Sequence, residues 1–455
     1  MKPQLLSMLP LAAVLAWPAV RAAEATPAPL AQAAQADDEA EAPARAAPRR
    51  AATRAFRPSL KYGVDDVLLE AGHFPRAPKA DGSTTLRASP YALWQPAREW
   101  EFRVGARLDA VSQHGGSASY DEVRGDIADT YVRYRRGDTR LTVGAQTIVW
   151  GRVDGTPVID RVSRVDLSRF ALDDLPERRR AQLALRWEQT LGDYKLDAVV
   201  LPAFRGARLP DVDSVWSPVD RERGRIIGVA PSPGLEALVG AARIREGDRG
   251  SGGAALRLSK SGGAVDFGLT LAHTRQTLPY YQVDLAEPSL TAIYPYNRFA
   301  GVDAEFATGA YTWRIELGHT SDVPVTLAGG ERRSARAIEG VVGVEFFPGG
   351  DDTRVTLQLA ARSVRTGQTI LELKEYYGVN GEVESMLAQG RWKLGMRFFS
   401  GLNEHDLYLA PKVSWLGWEP LEIYAVARHF DGGSRTLAGF HRDHDMFAIG
   451  LSTRF

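Results

Sequence analysis

The sequence predicts an all-β chain built as one transmembrane antiparallel β-barrel of about eighteen strands, with sixteen as the alternative count. Three observations predict it. Apolar and polar residues alternate with period two over many segments of 9 to 14 residues, and the second face is repeatedly charged. Short Gly, Asp and Pro turns trade places with long charged connections along the whole chain. Beyond the N-terminus there is no apolar run of about 18 residues, so membrane-spanning helices are excluded. A soluble sandwich also alternates, but at this length it needs strands buried on both faces or covering helices. Tilted strands crossing a bilayer need about 9–11 residues and keep one face polar.

From the N-terminus, Lys2 precedes an apolar stretch from Leu5 to Val20, and Val20, Ala22 and Ala23 offer a cleavage site. Residues 1–23 therefore read as a secretory signal peptide. Residues 24–57 are rich in Ala, Pro, Gln and charge without a core-facing period, which predicts a disordered periplasmic leader. Residues 58–455 are assigned to the barrel. The 455 residues carry 56 basic and 56 acidic side chains and no Cys. No global field favours nucleic acid, and disulfides, thiolate metal sites and a lipid anchor on Cys are ruled out.

Strands are predicted near 60–71, 84–95, 98–112, 122–136, 139–151, 179–190, 193–204, 253–261 and 263–275. They continue near 295–307, 310–320, 335–347, 353–365, 381–389, 391–400, 406–416, 420–430 and 445–455. In the third, Trp100, Phe102, Val104, Ala106 and Leu108 alternate with Glu99, Glu101, Arg103, Arg107 and Asp109. Segment 235–246 breaks the up-and-down parity as a strand and is assigned to a long loop, as a short helix. An even count is needed so that no unpaired edge faces lipid. Trp94, Trp100, Phe346, Phe347, Trp392, Trp415, Trp418 and Phe455 cluster at strand ends, as expected of an interfacial aromatic girdle.

The last segment runs His444 to Phe455. Phe447, Ile449, Leu451, Thr453 and Phe455 share one face, and Ala448, Gly450, Ser452 and Arg454 the other. It resembles the closing strand of Gram-negative outer-membrane β-barrels, whose terminal aromatic belongs to the assembly signal. That resemblance implies an outer-membrane location, contact with lipid and lipopolysaccharide, and the barrel-assembly machinery as a partner through Phe455.

A charged connection follows the fifth strand: Trp150-Gly-Arg-Val-Asp-Gly-Thr-Pro-Val-Ile-Asp160, then an Arg-rich run to Arg180. Here the chain resembles a group of porin-like outer-membrane proteins with a Trp-Gly-x-x-Asp-Gly turn after an early strand, which implies a channel and names no substrate. Folded inward, such a loop would narrow the pore and select by size and charge. The constriction candidates are Arg152, Asp154, Asp160, Arg161, Arg164, Asp166, Arg169, Asp173 and Asp174; as a surface loop, the same charges would pair with one another. Loop 205–234, the second long loop, reads either as a cap over the pore or as a solvated surface loop. Lumen-facing charges are expected at Glu99, Glu101, Arg103, Arg107, Asp109, Arg186, Glu188, Arg314, Glu316, Arg354 and Arg362, with Asp303 and Glu305, and they point to a wet lumen.

For catalysis, the His residues are scattered apart from His441-Arg-Asp-His-Asp445, and no Ser sits in a nucleophile-type turn beside it. The reading is a non-enzymatic, porin-like channel for passive diffusion of small polar solutes, without metal or cofactor. Export or surface interaction with polysaccharide or lipid is the alternative, and an outer-membrane hydrolase the third.

Overall fold

The protein is described from a computed structural model covering residues 56–454, apart from 230, 232, 248–249, 285–288 and 328–330. The expected signal peptide, nearly all of the leader and Phe455 lie outside the described residues. The barrel strands are β1 (Ser59–His73), β2 (Gly82–Ala97), β3 (Trp100–His114), β4 (Tyr120–Ile127, resumed at Thr130–Arg136), β5 (Thr139–Gln146), β6 (Gln182–Leu191), β7 (Tyr194–Leu201), β8 (Gly253–Lys260) and β9 (Asp266–Arg275). They continue as β10 (Tyr296–Thr308), β11 (Tyr311–Thr326), β12 (Arg332–Phe346), β13 (Thr353–Arg365), β14 (Glu375–Leu387), β15 (Trp392–Gly401), β16 (Asp406–Trp418), β17 (Leu421–Gly432) and β18 (Met446–Arg454).

Each strand pairs antiparallel with its neighbours in sequence. The sheet contains nineteen strand segments. Two of them are the halves of β4, both paired with β3, so the barrel has eighteen strands. It closes where β18 pairs with β1, from Asp66 opposite Arg454 to His73 opposite Phe447. The seam partner is thus the first predicted hairpin, and the sixteen-strand count is excluded. Closure satisfies the edge groups that lipid would leave unpaired.

The period-two pattern sets the faces. On β18, Phe447, Ile449 and Leu451 point outward, while Met446, Ala448 and Gly450 are buried inside. The outer wall is a continuous apolar surface, with Val104, Leu185, Leu271, Val302, Leu317 and Leu359 among its exposed side chains. A monomer in water rarely carries such a surface. Trp94, Trp100, Phe347, Trp392 and Trp418 are exposed at the end that carries the short turns. Two of those turns place Gly137 and Gly192 at φ +55° and +60°, which a Cβ would oppose.

Long connections gather at the other end. They hold α1 (Leu175–Arg178), α2 (Pro233–Ala241) and α3 (Leu437–Phe440). A small outlying sheet pairs Arg243–Glu246 parallel with Ser289–Ile293 and the latter antiparallel with Tyr280–Asp284. The segment around 235–246 is therefore a helix followed by a loop strand, outside the barrel wall. No helix among the described residues is long and apolar enough to cross a membrane.

The inward charges occupy the expected side, with one correction. Glu99 lies exposed in the Arg98–Glu99 turn, because β3 begins one residue later, so it does not face the lumen. The wet-lumen expectation also needs correcting. In the loop half the lumen holds a dry cluster that includes Phe74, Phe170, Trp216, Tyr408, Phe430 and Leu437.

Candidate functional site

The connection from β5 to β6 leaves the wall after Gln146 and turns into the barrel. Its first part, Trp150–Asp160, is clamped by carboxylates. Asp160 accepts from the backbone N–H of Trp150 and Gly151, both at 2.6 Å. Glu316 on β11 accepts four backbone N–H groups, those of Arg152 (2.5 Å), Val153 (3.1 Å), Val158 (2.6 Å) and Ile159 (3.0 Å). A carboxylate that accepts several N–H bonds fixes a turn the way an anion does. Trp150 adds a bond from its indole Nε1 to Asp197 at 2.9 Å. Close approach requires glycine on both surfaces. A Cβ on Gly155 would lie 2.4 Å from Gln358 Oε1, and Cβ atoms on wall residues Gly301 and Gly318 would lie 2.7 and 2.8 Å from Ile159 and Val158.

The second part, Arg161–Arg180, crosses the lumen, and the charges of both parts pair with opposite walls. On the near side Arg152 binds Asp303 (2.6 Å) and Asp154 binds Arg314 (3.5 Å). Arg161 pairs with Glu339, and Asp160 with Arg179 at 2.7 Å. Farther on, Asp166 meets Arg107 (3.5 Å) and Arg208 (3.2 Å), and Arg169 meets Glu70 and Asp173. Asp173 also takes Arg87 at 2.5 Å. Asp174 takes Arg397 of β15, nine strands on from β6 and thus half-way round the barrel. Arg164 differs: it is fully buried, bonded to Ser163 O and Thr277, with no carboxylate beside it among the described residues, and burial lowers its pKa to about 10. Burial pushes the Asp173 carboxyl up, but Arg169 and Arg87 outweigh this and hold it well below the usual range.

The sequence candidates are therefore brought together in one strap, as an inward loop requires. What sequence reasoning did not find is their partners. Every constriction candidate except Arg164 is in an ion pair, so they do not form a ring of free charges. The lumen candidates behave alike: Glu101 binds Arg133, Arg103 binds Asp65, Arg186 binds Asp197, Glu188 binds Lys195, and Arg354 binds Glu382 and Glu384. Arg107 binds Asp109, and Arg362 binds Glu339.

The strap divides two cavities. The one in the loop half is about 230 Å³, and the one in the turn half about 80 Å³. They share no lining residue. Helix α1 stands between them, with Leu175 and Arg178 on the loop-half side and Glu177 on the other. The turn-half chamber is bounded by Glu70, Glu382, Glu384, Lys393, Lys412 and Arg428.

Loop 205–234 covers the barrel's loop end as a cap and is not a solvated surface loop. Trp216 stacks on Phe170 at 5.8 Å and packs on Phe430 at 5.6 Å. Beneath it lie His441 and His444, with their Nδ1 atoms 2.9 Å apart. Both are buried rather than placed at a wet rim. Burial and then the Arg223 charge lower the His444 pKa to about 4. No group of three or more His, Cys, Asp or Glu that could hold a metal occurs among the described residues.

A family profile described as "Protein of unknown function (DUF1302)" matches residues 56–394. No curated protein matches the chain. Among solved structures it is similar to OccAB1 of Acinetobacter baumannii, at 9% identity and TM-score 0.49, over 88% of this chain and 96% of that one. It is also similar to the outer membrane channel DcaP of Acinetobacter baumannii, at 10% identity and TM-score 0.44, over 88% of this chain and 97% of that one. A third is OccK11 (OpdR) of Pseudomonas aeruginosa, at 11% identity and TM-score 0.44, over 87% of this chain and 95% of that one. At these values the likeness carries nothing about residues or solutes, and the barrel is read from its own strand pairing.

Proposed function

We propose that this chain, which belongs to the DUF1302 family, is a porin-like outer-membrane channel for passive diffusion of small solutes carrying polar groups. The strap Trp150–Arg180 closes it in the conformation described. One observation carries the reading: a connection folded inside a closed barrel and tied to opposite walls, with a chamber on either side. Charges of both signs around the turn-half chamber suit solutes with polar groups and give no net preference for anions or cations. The apolar outer wall and the aromatic residues at the turn end support insertion in a bilayer. Phe455 as assembly signal, and His273 and His319 on the outward face as contacts for lipopolysaccharide, belong to the same reading.

Single-channel recording in planar bilayers tests it. Discrete conductance steps, and permeation of small sugars into proteoliposomes, are expected. A folded protein that conducts nothing and passes no solute overturns it. In that case, lipid or peptide hydrolysis lost on His444→Ala would move the protein to the hydrolases, and its absence to export or surface interaction.

A further inference from the structure

We infer that the loop-half chamber is a binding site for a neutral, largely apolar solute that carries a hydroxyl group. This deepens the channel reading by naming a solute class, and it rests on that reading only for the route by which the solute arrives.

Size comes first. An engineered apolar cavity of about 150 Å³ takes benzene. The chamber, at about 230 Å³, has room for a larger body. Much of its wall is apolar, with Val158 and Leu175 from the strap and Leu278, Val323, Val341 and Phe399 from around the barrel, and neutral polar side chains such as Ser163, Thr277 and Asn297 lie between them.

The charges at its edge are ion-paired or hydrogen-bonded within the protein. Glu339 holds both Arg161 and Arg362, and Asp160 holds Arg179. Asp406 accepts from Tyr376 and from the backbone of Ala438, and Glu372 accepts from the backbone of Thr326. Arg178 faces Asp173 and Asp174, and Arg275 is bonded to two backbone carbonyls. A charged solute would give up its hydration in this low-dielectric space and compete with those contacts for a counter-charge, at a high desolvation cost.

Two neutral side chains keep an unpaired polar atom. Gln276 and Thr320 line the chamber, and their Oε1 and Oγ1 atoms are buried with no hydrogen-bond partner among the described residues. Buried polar atoms are normally paired. An apolar solute alone would leave them orphaned. A hydroxyl donates and accepts, so it suits either the Thr320 hydroxyl or the Gln276 amide, the latter in either orientation.

The test uses the full barrel in proteoliposomes, with binding by flow dialysis corrected against protein-free vesicles. The probes are thymol, p-cymene (the same body without the hydroxyl) and p-isopropylbenzoate (a similar body with a carboxylate). Thymol should bind at least about tenfold more tightly than the carboxylate, which must give up its hydration. Gln276→Leu with Thr320→Val should weaken thymol about fivefold or more and leave p-cymene within about twofold. Ala360→Trp and, independently, Val341→Phe should fill the chamber and weaken both neutral probes, with heat-modifiable gel mobility reporting the folded barrel. Equal binding of thymol and the carboxylate overturns the proposal. So does a polar double variant that binds thymol like the wild type, since water then serves those atoms. Indifference of both filling variants, once folded, overturns it as well. Conductance is recorded on the same preparations. Channel steps without thymol binding sink this inference alone, and thymol binding without channel steps sinks the channel reading alone.

Discussion

Replacing Arg397 with Met should unlock the strap. Arg397 donates to Asp174 at 2.5 Å, to the carbonyls of Ala171 and Leu172 at 3.2 and 3.4 Å, and to the Tyr408 hydroxyl at 3.2 Å. It is the strap's tie on the wall opposite the strap's own base. Breaking a fully buried pair costs about 3–5 kcal/mol. The Asp174 side chain keeps 25% of its exposure, so solvent takes up part of the loss and about 2 kcal/mol is the better figure. At about 1.4 kcal/mol per factor of ten, the open-to-closed ratio rises about 30-fold. Single-channel recording reads this as the fraction of time spent open. Salt should change the effect little, because the pair is shielded from bulk ions. Asp174→Asn should act similarly, and the double variant should add little to either single one. An unchanged open fraction in a folded Arg397→Met barrel would refute the argument that this tie holds the strap across the lumen.

Four other outcomes follow from the same geometry. Glu316→Ala strips four N–H groups of their acceptor, at about 1–3 kcal/mol for each left unsatisfied, so trypsin should cut at Arg152 or Arg161, sites protected in the wild type. The Glu372 carboxyl is raised from 4.5 to about 7, chiefly by burial. Its contribution is full below pH 4.5 and is lost as pH rises through about 7, so the protection factor of the Thr326 amide, corrected for base-catalysed intrinsic exchange, should fall over that window in the wild type and not in Glu372→Gln. His444 is lowered from 6.5 to about 4, so its contribution to the cap is full above pH 6.5 and is lost as pH falls through about 4. Trp216 fluorescence should report that loosening, and His444→Phe should move it. Ile449, 67% exposed on the outward face, should cost about 2–4 kcal/mol as Ile449→Arg in lipid-based unfolding, while an outward Ile449→Leu should be near neutral.

The wall was legible because each strand carries its own signal. Alternation in β18 or β13 involves residues two apart, and it fixes register as well as face. Where the reading slipped, a local rule had been carried one step too far. Ile148 and Trp150 continue the alternation of β5 but already turn into the lumen, so the strand stops at Gln146 and not near 151. Glu99 keeps the parity of β3 but precedes its first pair, Trp100 with Ala97. The strap was legible as a charge-rich loop and illegible as a strap. Arg152 lies 164 residues from Glu316, and Asp174 lies 223 from Arg397, and no periodicity links positions so far apart. The aromatic cap was hidden for another reason. In a membrane barrel an apolar residue off the wall pattern looks like a surface loop residue, yet Phe170, Trp216 and Phe430 form a core inside.

Pairing changes what the charges can do. Free Arg and Asp on facing walls would set up a transverse field and sort solutes by sign. Here Arg169 answers Glu70, Arg87 answers Asp173, and Arg397 answers Asp174, so little field is left over the lumen. Such pairs add little net stability over apolar contacts, but separating one is costly. The strap is therefore poorly suited to intermediate positions: lifting Asp174 alone strands Arg397, and shifting Arg169 strands Glu70. Because Asp173 joins Arg87 to Arg169 and lies next to Asp174, the ties on β1, β2 and β15 release together or not at all. On the channel reading, selection in such a barrel would come from the chamber walls and from the concerted release of the strap, while the charges fix its closed register.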